Sequence, residues 1–294
     1  MTNSFDRTAA IDPRTLHLAY SPDADDAFMF RAAFDGLVDC EGLEFAPVTA
    51  NTQELNDRAS GRGPDVSAVS VAAYPGIAED YVLLPHGGSI GRGYGPVIVA
   101  KTTCTLDDLK AARIATPGPT TTAHLVSRLM LPEAEITTVP IAPYEAIFEA
   151  IESGQVEAGI IIHEGRLTYE RRGLAKVADL GVWWMEKTGL PLPLGANVIR
   201  RDLGSAVISR ASRVLGRSIA WALENRVEMI DWIIAHGERP GEVNDPELID
   251  RYLQMYANED TRAYRPDTKE GIARLLLEGE RIGLFAPGTE PTYA

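Results

Sequence analysis

Up to about residue 200, short β-rich runs alternate with segments of helical periodicity, the pattern of parallel sheets covered by helices. Residues 15–20 read as a first strand, followed at once by Ser21-Pro22-Asp23-Ala24-Asp25-Asp26 and a helix that carries Phe28 and Phe30 to a stop at Gly36. Residues 43–49 form a second strand. Asn51 then caps a helix containing Leu55, and residues 66–69 form a third strand that ends at Ser70 before another short helix. A second set of units begins near Gly95 with a strand over 96–100 and a helix starting at Thr105-Leu106-Asp107-Asp108. A strand over 113–116 runs into Pro117-Gly118-Pro119-Thr120-Thr121-Thr122 and a helix to Met130. Residues 135–139 precede a helix from Tyr144 that Gly154 ends, and residues 158–162 are the next strand.

Beyond residues 197–200 the pattern turns mostly helical. Ile208, Ala211, Leu215, Ile219 and Ala222 recur at steps of three and four, Asp245 caps a helix with Leu248 and Leu253, and Asp267 caps one with Leu275 and Leu276. A chain of 294 residues exceeds the size at which one core keeps growing, so two α/β lobes with a ligand cleft between them are expected. The pattern places one lobe at residues 14–98 completed by 198–294 and an inserted lobe at 99–197, with two crossings between them.

Charge narrows the function classes. A net charge of -14 argues against nucleic acid and anionic membrane surfaces, which need clustered Lys and Arg. It does not exclude a small carboxylate held by one buried Arg or by backbone N–H groups. The stretch from Met1 to Arg14 has no apolar run of a secretory signal, and nothing in the chain is apolar for long enough to span a bilayer, so a cytoplasmic protein is expected. Cys40 and Cys104 lack metal-ligand spacing and read as structural, and no metal site is expected.

Among five histidines, His17 lies inside a strand and His236 ends a helix, while His86 and His124 are left open. His163 differs: Ile160-Ile161-Ile162 deliver it just past a strand's carboxyl end, where open α/β sheets place ligands, and Glu164-Gly165-Arg166 follow. An imidazole there can serve as a base near neutral pH, although a structural role fits the pattern as well. Thr121, Thr122 and Ala123 at a helix start suit a carboxylate or phosphate, and equally an ordinary N-cap. Asp23, Asp25 and Asp26 read as negative charge at a helix N-terminus, one of them capping it, in preference to a cation site. The loop Gly87-Gly88-Ser89-Ile90-Gly91-Arg92-Gly93 fits a hinge, a close ligand approach or plain turns. Trp183 and Trp184 are adjacent, so at most one can stack on a ring in a given site.

Three runs carry a resemblance. Gly87-Gly88-Ser89-Ile90-Gly91-Arg92-Gly93-Tyr94-Gly95-Pro96, Gly159-Ile160-Ile161-Ile162-His163-Glu164, and the stretch from Asp179-Leu180-Gly181-Val182-Trp183-Trp184 through Leu190-Pro191-Leu192-Pro193-Leu194-Gly195-Ala196 resemble the 1,4-dihydroxy-6-naphthoate synthases of the futalosine route to menaquinone. The similarity covers about residues 15 to 204. It implies a periplasmic-binding-protein-like fold of type 2 used as a cytoplasmic lyase. That enzyme would convert cyclic dehypoxanthinyl futalosine to the dihydroxynaphthoate without a cofactor, releasing a three-carbon fragment. The resemblance makes His163 the catalytic base and puts Ala68, Val69, Ser70, Thr122 and Ala123 against substrate; Ser21, Asp26, Arg92 and Thr121 complete the expected binding set. One motif departs: where the family has Ser-Pro-Cys-Pro-Asn-Asp-Thr-Phe, this chain has Ser21-Pro22-Asp23-Ala24-Asp25-Asp26-Ala27-Phe28. That departure leaves open a paralogue acting on a related small carboxylic acid, such as a chorismate dehydratase-like enzyme, and the fold leaves open a cytoplasmic solute-binding protein. A homodimer is allowed but not specified by the sequence.

Overall fold

The computed structural model describes residues 14–141, 145–237 and 245–294. The stretch read for a secretory signal lies, apart from Arg14, outside the described residues. Strands β1 (Arg14–Tyr20), β2 (Leu43–Thr49) and β3 (Val66–Ser70) alternate with helices α1 (Ala24–Phe34) and α2 (Thr52–Ser60), as the hydrophobic pattern predicts. After a 3-10 helix over Val71–Gly76 come the short strands β4 (Tyr81–Leu83) and β5 (Ser89–Gly91). The second set comprises β6 (Val97–Ala100), β7 (Arg113–Thr116), α3 (Thr122–Met130), β8 (Glu135–Thr138), α4 (Ala146–Glu152), β9 (Ala158–Ile161), α5 (Gly165–Thr168), β10 (Ala175–Asp179) and α6 (Leu180–Thr188). Strand β11 (Leu192–Arg200) then leads into α7 (Ser205–Glu224), α8 (Arg226–His236), α9 (Pro246–Tyr256), α10 (Glu259–Arg262) and α11 (Pro266–Arg281). Tyr144, the expected start of α4, lies outside the described residues.

Two mixed sheets result, one per lobe. The first has the order β2-β1-β3-β11-β4, with β5 also on β11; β1 to β3 pair in parallel and β11 runs antiparallel to its neighbours. The second has the order β10-β6-β9-β7-β8, in which β7 pairs in parallel with β8 and β9 while β6 is antiparallel to β9 and β10. All five residues of β3 and all four of β9 are buried, as expected of strands covered on both faces. Helices α1 and α7 cover the first sheet around Leu16, Leu18, Phe30 and Leu215, and α4 covers the second around Val97, Ile147 and Ile161.

The crossings lie earlier than the sequence pattern places them. Val97 and Ile98 already pair with Ile161 and Ile160 in the second sheet, and β11 belongs to the first sheet from Leu192 onward. The expected boundaries at 98/99 and 197/198 therefore fall inside strands. Strand β6 is buried along its whole length and β11 carries the buried apolar pair Val198-Ile199 near its end, so hydrophobicity says that they are buried without saying in which sheet. At the crossing, Gly181 at the start of α6 meets the Tyr94 backbone so closely that a Cβ there would sit 2.0 Å from the Tyr94 carbonyl carbon. The two chain passages touch backbone to backbone.

The lobes share a continuous apolar cluster in which Val71, Leu125, Trp184, Leu192 and Ile272 are buried together. Trp184 is fully buried and its indole N–H donates to the Pro191 carbonyl at 3.2 Å. Two local expectations change. The helix expected from Thr105 is a single 3-10 turn over Asp107–Leu109, and Asp267 lies in the first turn of α11 with Arg265 at the N-cap position. Among the described residues, no helix is long and apolar enough to cross a membrane.

Candidate active site

A cavity of about 770 Å³, counting its open mouth, lies between the sheets. The carboxyl ends of β3 and β9, the middle of β11 and the N-terminal ends of α1, α2 and α3 converge on it. This is the crevice that an α/β sheet provides beyond its strand ends.

His163 follows β9 immediately and has a φ of 54°, a left-handed conformation that is costly for a residue with a Cβ. The side chain is only 14% exposed. Its Nδ1 lies 2.8 Å from Asp23 Oδ2, and its Nε2 lies 3.1 Å from Thr52 Oγ1. Asp23 Oδ2 also accepts the Ser21 hydroxyl. A carboxylate accepting at Nδ1 favours the neutral tautomer that carries its proton there, which leaves the Nε2 lone pair toward Thr52 and the cavity.

The acidic loop thus has a different task from the expected one. Asp23 occupies the N-cap position of α1, but its side chain makes no capping bond. The Ala24 N–H instead donates to Glu164 Oε1 at 3.0 Å, from the residue after His163. Asp26 accepts the Ser21 N–H at 2.8 Å. Asp25 accepts the Ser89 hydroxyl at 2.7 Å and the Tyr252 hydroxyl at 3.1 Å; burial, and secondarily the charge of Asp23, push its carboxyl up to about 6. All three carboxylates are committed to protein donors. Among the described residues, no group of three or more His, Cys, Asp or Glu is disposed to hold a metal ion.

Facing them are the groups suited to an anion. The Thr121 hydroxyl caps α3 by accepting the His124 N–H at 3.2 Å, which leaves the N–H groups of Thr122 and Ala123 at the cavity wall. The Thr122 hydroxyl is spent on the Leu194 carbonyl at 2.8 Å and on the Ala72 N–H. Asn56 pins Ser70, accepting its N–H at 2.9 Å and donating to its Oγ at 3.2 Å. Asn197 on β11 is 1% exposed, lines the cavity, and its Nδ2 has no hydrogen-bond partner. Arg166 also lines the cavity, paired with Asp179 at 2.7 Å.

The model of a family described as menaquinone biosynthesis matches residues 16–280. A 1,4-dihydroxy-6-naphthoate synthase of Thermus thermophilus is 39% identical, over 95% of this chain and 98% of its own. The chain belongs to the menaquinone biosynthesis family. A second member, the 1,4-dihydroxy-6-naphthoate synthase of Streptomyces coelicolor, is 34% identical over 92% of this chain and 94% of its own. Among solved structures, a protein from Archaeoglobus fulgidus superposes with a TM-score of 0.85 at 38% identity, covering 92% of this chain and 98% of that one. The alkanesulfonate-binding protein SsuA of Xanthomonas axonopodis superposes at 0.71 with 16% identity, covering 97% of this chain and all of that one; it shares the two-lobe periplasmic-binding-protein fold.

In this family member the structure brings Ser21, Asp26, Ala68, Val69, Ser70, Thr121, Thr122, Ala123 and His163 to one cavity. Arg92 is not part of its lining. Its guanidinium is spent on Asp260, at 2.6 and 2.7 Å, and on Asp267 at 2.6 Å, which ties the Gly-rich loop to α10 and α11. Gly87, with φ of 79°, packs against the Asn197 side chain, so that position serves a close protein contact at the cavity edge. Neither tryptophan stacks in the cavity: Trp184 is core, and the ring of Trp183 lies under Lys187 Nζ at 4.6 Å. His86 and His124 lie outside the lining as well; burial holds both imidazoles below the usual range.

Asp23, Asp25, Thr52, Asn56 and Asn197 were missing from the expected site. Their signal in the sequence is weak, because each looks locally like a cap, a first-turn acid, an ordinary helix residue or a strand residue. The partner that gives each its meaning comes from a distant segment.

Proposed function

We propose that this chain is a carbon-carbon lyase that converts cyclic dehypoxanthinyl futalosine to 1,4-dihydroxy-6-naphthoate in menaquinone biosynthesis, with His163 as general base and no cofactor. The two synthases it resembles along nearly their whole length support the reaction. The observation that carries the role of His163 is its position: a strand-end imidazole in the cavity wall, with Nδ1 against a carboxylate and Nε2 left to take a proton.

The substrate carboxylate belongs at the start of α3, where the N–H groups of Thr122 and Ala123 and the helix dipole favour negative charge and the acidic loop is not its neighbour of choice. The hydroxyls of Thr121 and Thr122 position this cradle; their bonds to Gly118 and Leu194 leave the backbone to do the binding. Ser70, held by Asn56, orients a substrate hydroxyl. His163 Nε2 then takes a proton from the spirocyclic substrate, and the electron pair left behind drives a retro-aldol-type cleavage that expels the three-carbon fragment. Aromatisation supplies the driving force, and apposed lobes keep water from the carbanionic stage.

Replacing His163 by Ala should lower kcat by roughly two to four decades with KM nearly unchanged, the signature of a lost general base. Full turnover by that variant would remove the assignment.

A further inference from the structure

Both partners of the His163 ring come from the other lobe. His163 belongs to the second sheet's β9 terminus, whereas Asp23 precedes α1 and Thr52 opens α2, both on the first sheet. The next residue pair repeats the arrangement, since Glu164 Oε1 accepts the Ala24 N–H across the same gap. Residues 23 and 24 thus clip residues 163 and 164. Elsewhere in the cleft, the Gln53 amide meets Thr120 at 2.8 Å and Asn56 meets it at 3.1 Å.

We infer that Asp23 is a positioning residue that acts across the cleft, fixing the ring orientation and tautomer of His163 only while the two lobes are apposed, so that the base is completed by closure. The inference rests on the proposed role of His163 and adds the source of its competence. Asp23 Oδ2 accepts from both Ser21 Oγ–H and His163 Nδ1–H, which is the behaviour of an ionised carboxylate. The Nδ1 proton stays on the ring throughout. The proton leaving the substrate goes to Nε2, the bonding pair remains on substrate carbon, and Asp23 stabilises the imidazolium without itself being protonated. With the lobes apart, Nδ1 has no carboxylate, the two tautomers compete, and the ring is free to turn. Thr52 Oγ1 holds the Nε2 side of the ring until substrate replaces it.

The test is Asp23→Asn in the full-length protein, beside His163→Ala. The charged or titratable groups around His163 are Asp23 from the loop before α1, Asp25 from the first turn of α1, Glu164 and Arg166 from its own segment, and Tyr252 from α9. Asp23 is the one in direct contact with the ring, through Nδ1. In Asp23→Asn, kcat falls on the order of 100-fold or more with KM within about twofold. A histidine 15N spectrum of the unsubstituted protein with the naphthoate product bound reports the Nδ1–H tautomer at His163. This second readout holds even if the variant folds poorly. Inactive His163→Ala together with Asp23→Asn at full kcat would overturn the role of Asp23 while leaving the base assignment standing. An Nε2–H tautomer in the product complex would overturn it equally. Active His163→Ala would remove both.

Discussion

Asp25 sits 5% exposed between the Ser89 and Tyr252 hydroxyls, and its carboxyl is raised from the ordinary 3.8 to about 6, first by burial and then by Asp23. A raised folded-state value means that, between about pH 4 and pH 6, the folded protein keeps a proton that the unfolded chain releases. This group's contribution is therefore most favourable below pH 4, declines through that window and stays low above it, by about 3 kcal/mol. Asp25→Asn removes the titrating group but keeps a polar side chain between the two hydroxyls. Its melting temperature relative to the unsubstituted protein should rise through the same window and level off above about pH 6. A difference independent of pH would contradict the assignment. At this scale His163 was legible in the sequence because three isoleucines lead into it, whereas Asp23 was not: a carboxylate at a helix start looks like a cap, and only the fold brings its imidazole to it.

At the scale of elements, Arg92 joins the loop after β5 to α10 and α11 through Asp260 and Asp267. Asp260 is 5% exposed, with Arg265 as a second partner at 3.5 Å. Arg92→Ala should therefore cost roughly 2–4 kcal/mol, read by chemical denaturation, because it strips a buried carboxylate of its bidentate partner. KM should stay within about twofold, since the residue is outside the cavity lining. A large rise in KM at unchanged stability would return Arg92 to the binding set. Elements with a strong local signal were readable: Asn51 caps α2 and Asp245 caps α9 as the pattern predicts. The strands β4 and β5, of three residues each, and β10, whose Ala175-Lys176-Val177-Ala178-Asp179 mixes polar and apolar positions, carry too little periodicity to stand out. Membership of β6 and β11 in one sheet or the other depends on long-range pairing that no local window contains.

Over the whole molecule, the two-lobe plan followed from chain length and from the alternation of strands and helices. The apposition of the lobes did not, because the apolar cluster they share and the bonds across the cleft, such as Gln53 with Thr120 and Ala24 with Glu164, join segments far apart in the chain. The net charge of -14 has a consequence at this scale: an anionic substrate approaches against the field of the protein. Raising ionic strength from low to physiological should therefore increase kcat/KM, and a steep decrease would mean that a local cationic path steers the substrate in. Turnover by His163 is tested by incubating the purified protein and its His163→Ala variant with cyclic dehypoxanthinyl futalosine, with chorismate in parallel, and following naphthoate release. The expected product is 1,4-dihydroxy-6-naphthoate from the first substrate alone, at a rate that falls by roughly two to four decades in the variant. Tight binding without product, turnover of chorismate instead, or undiminished release by His163→Ala would contradict it.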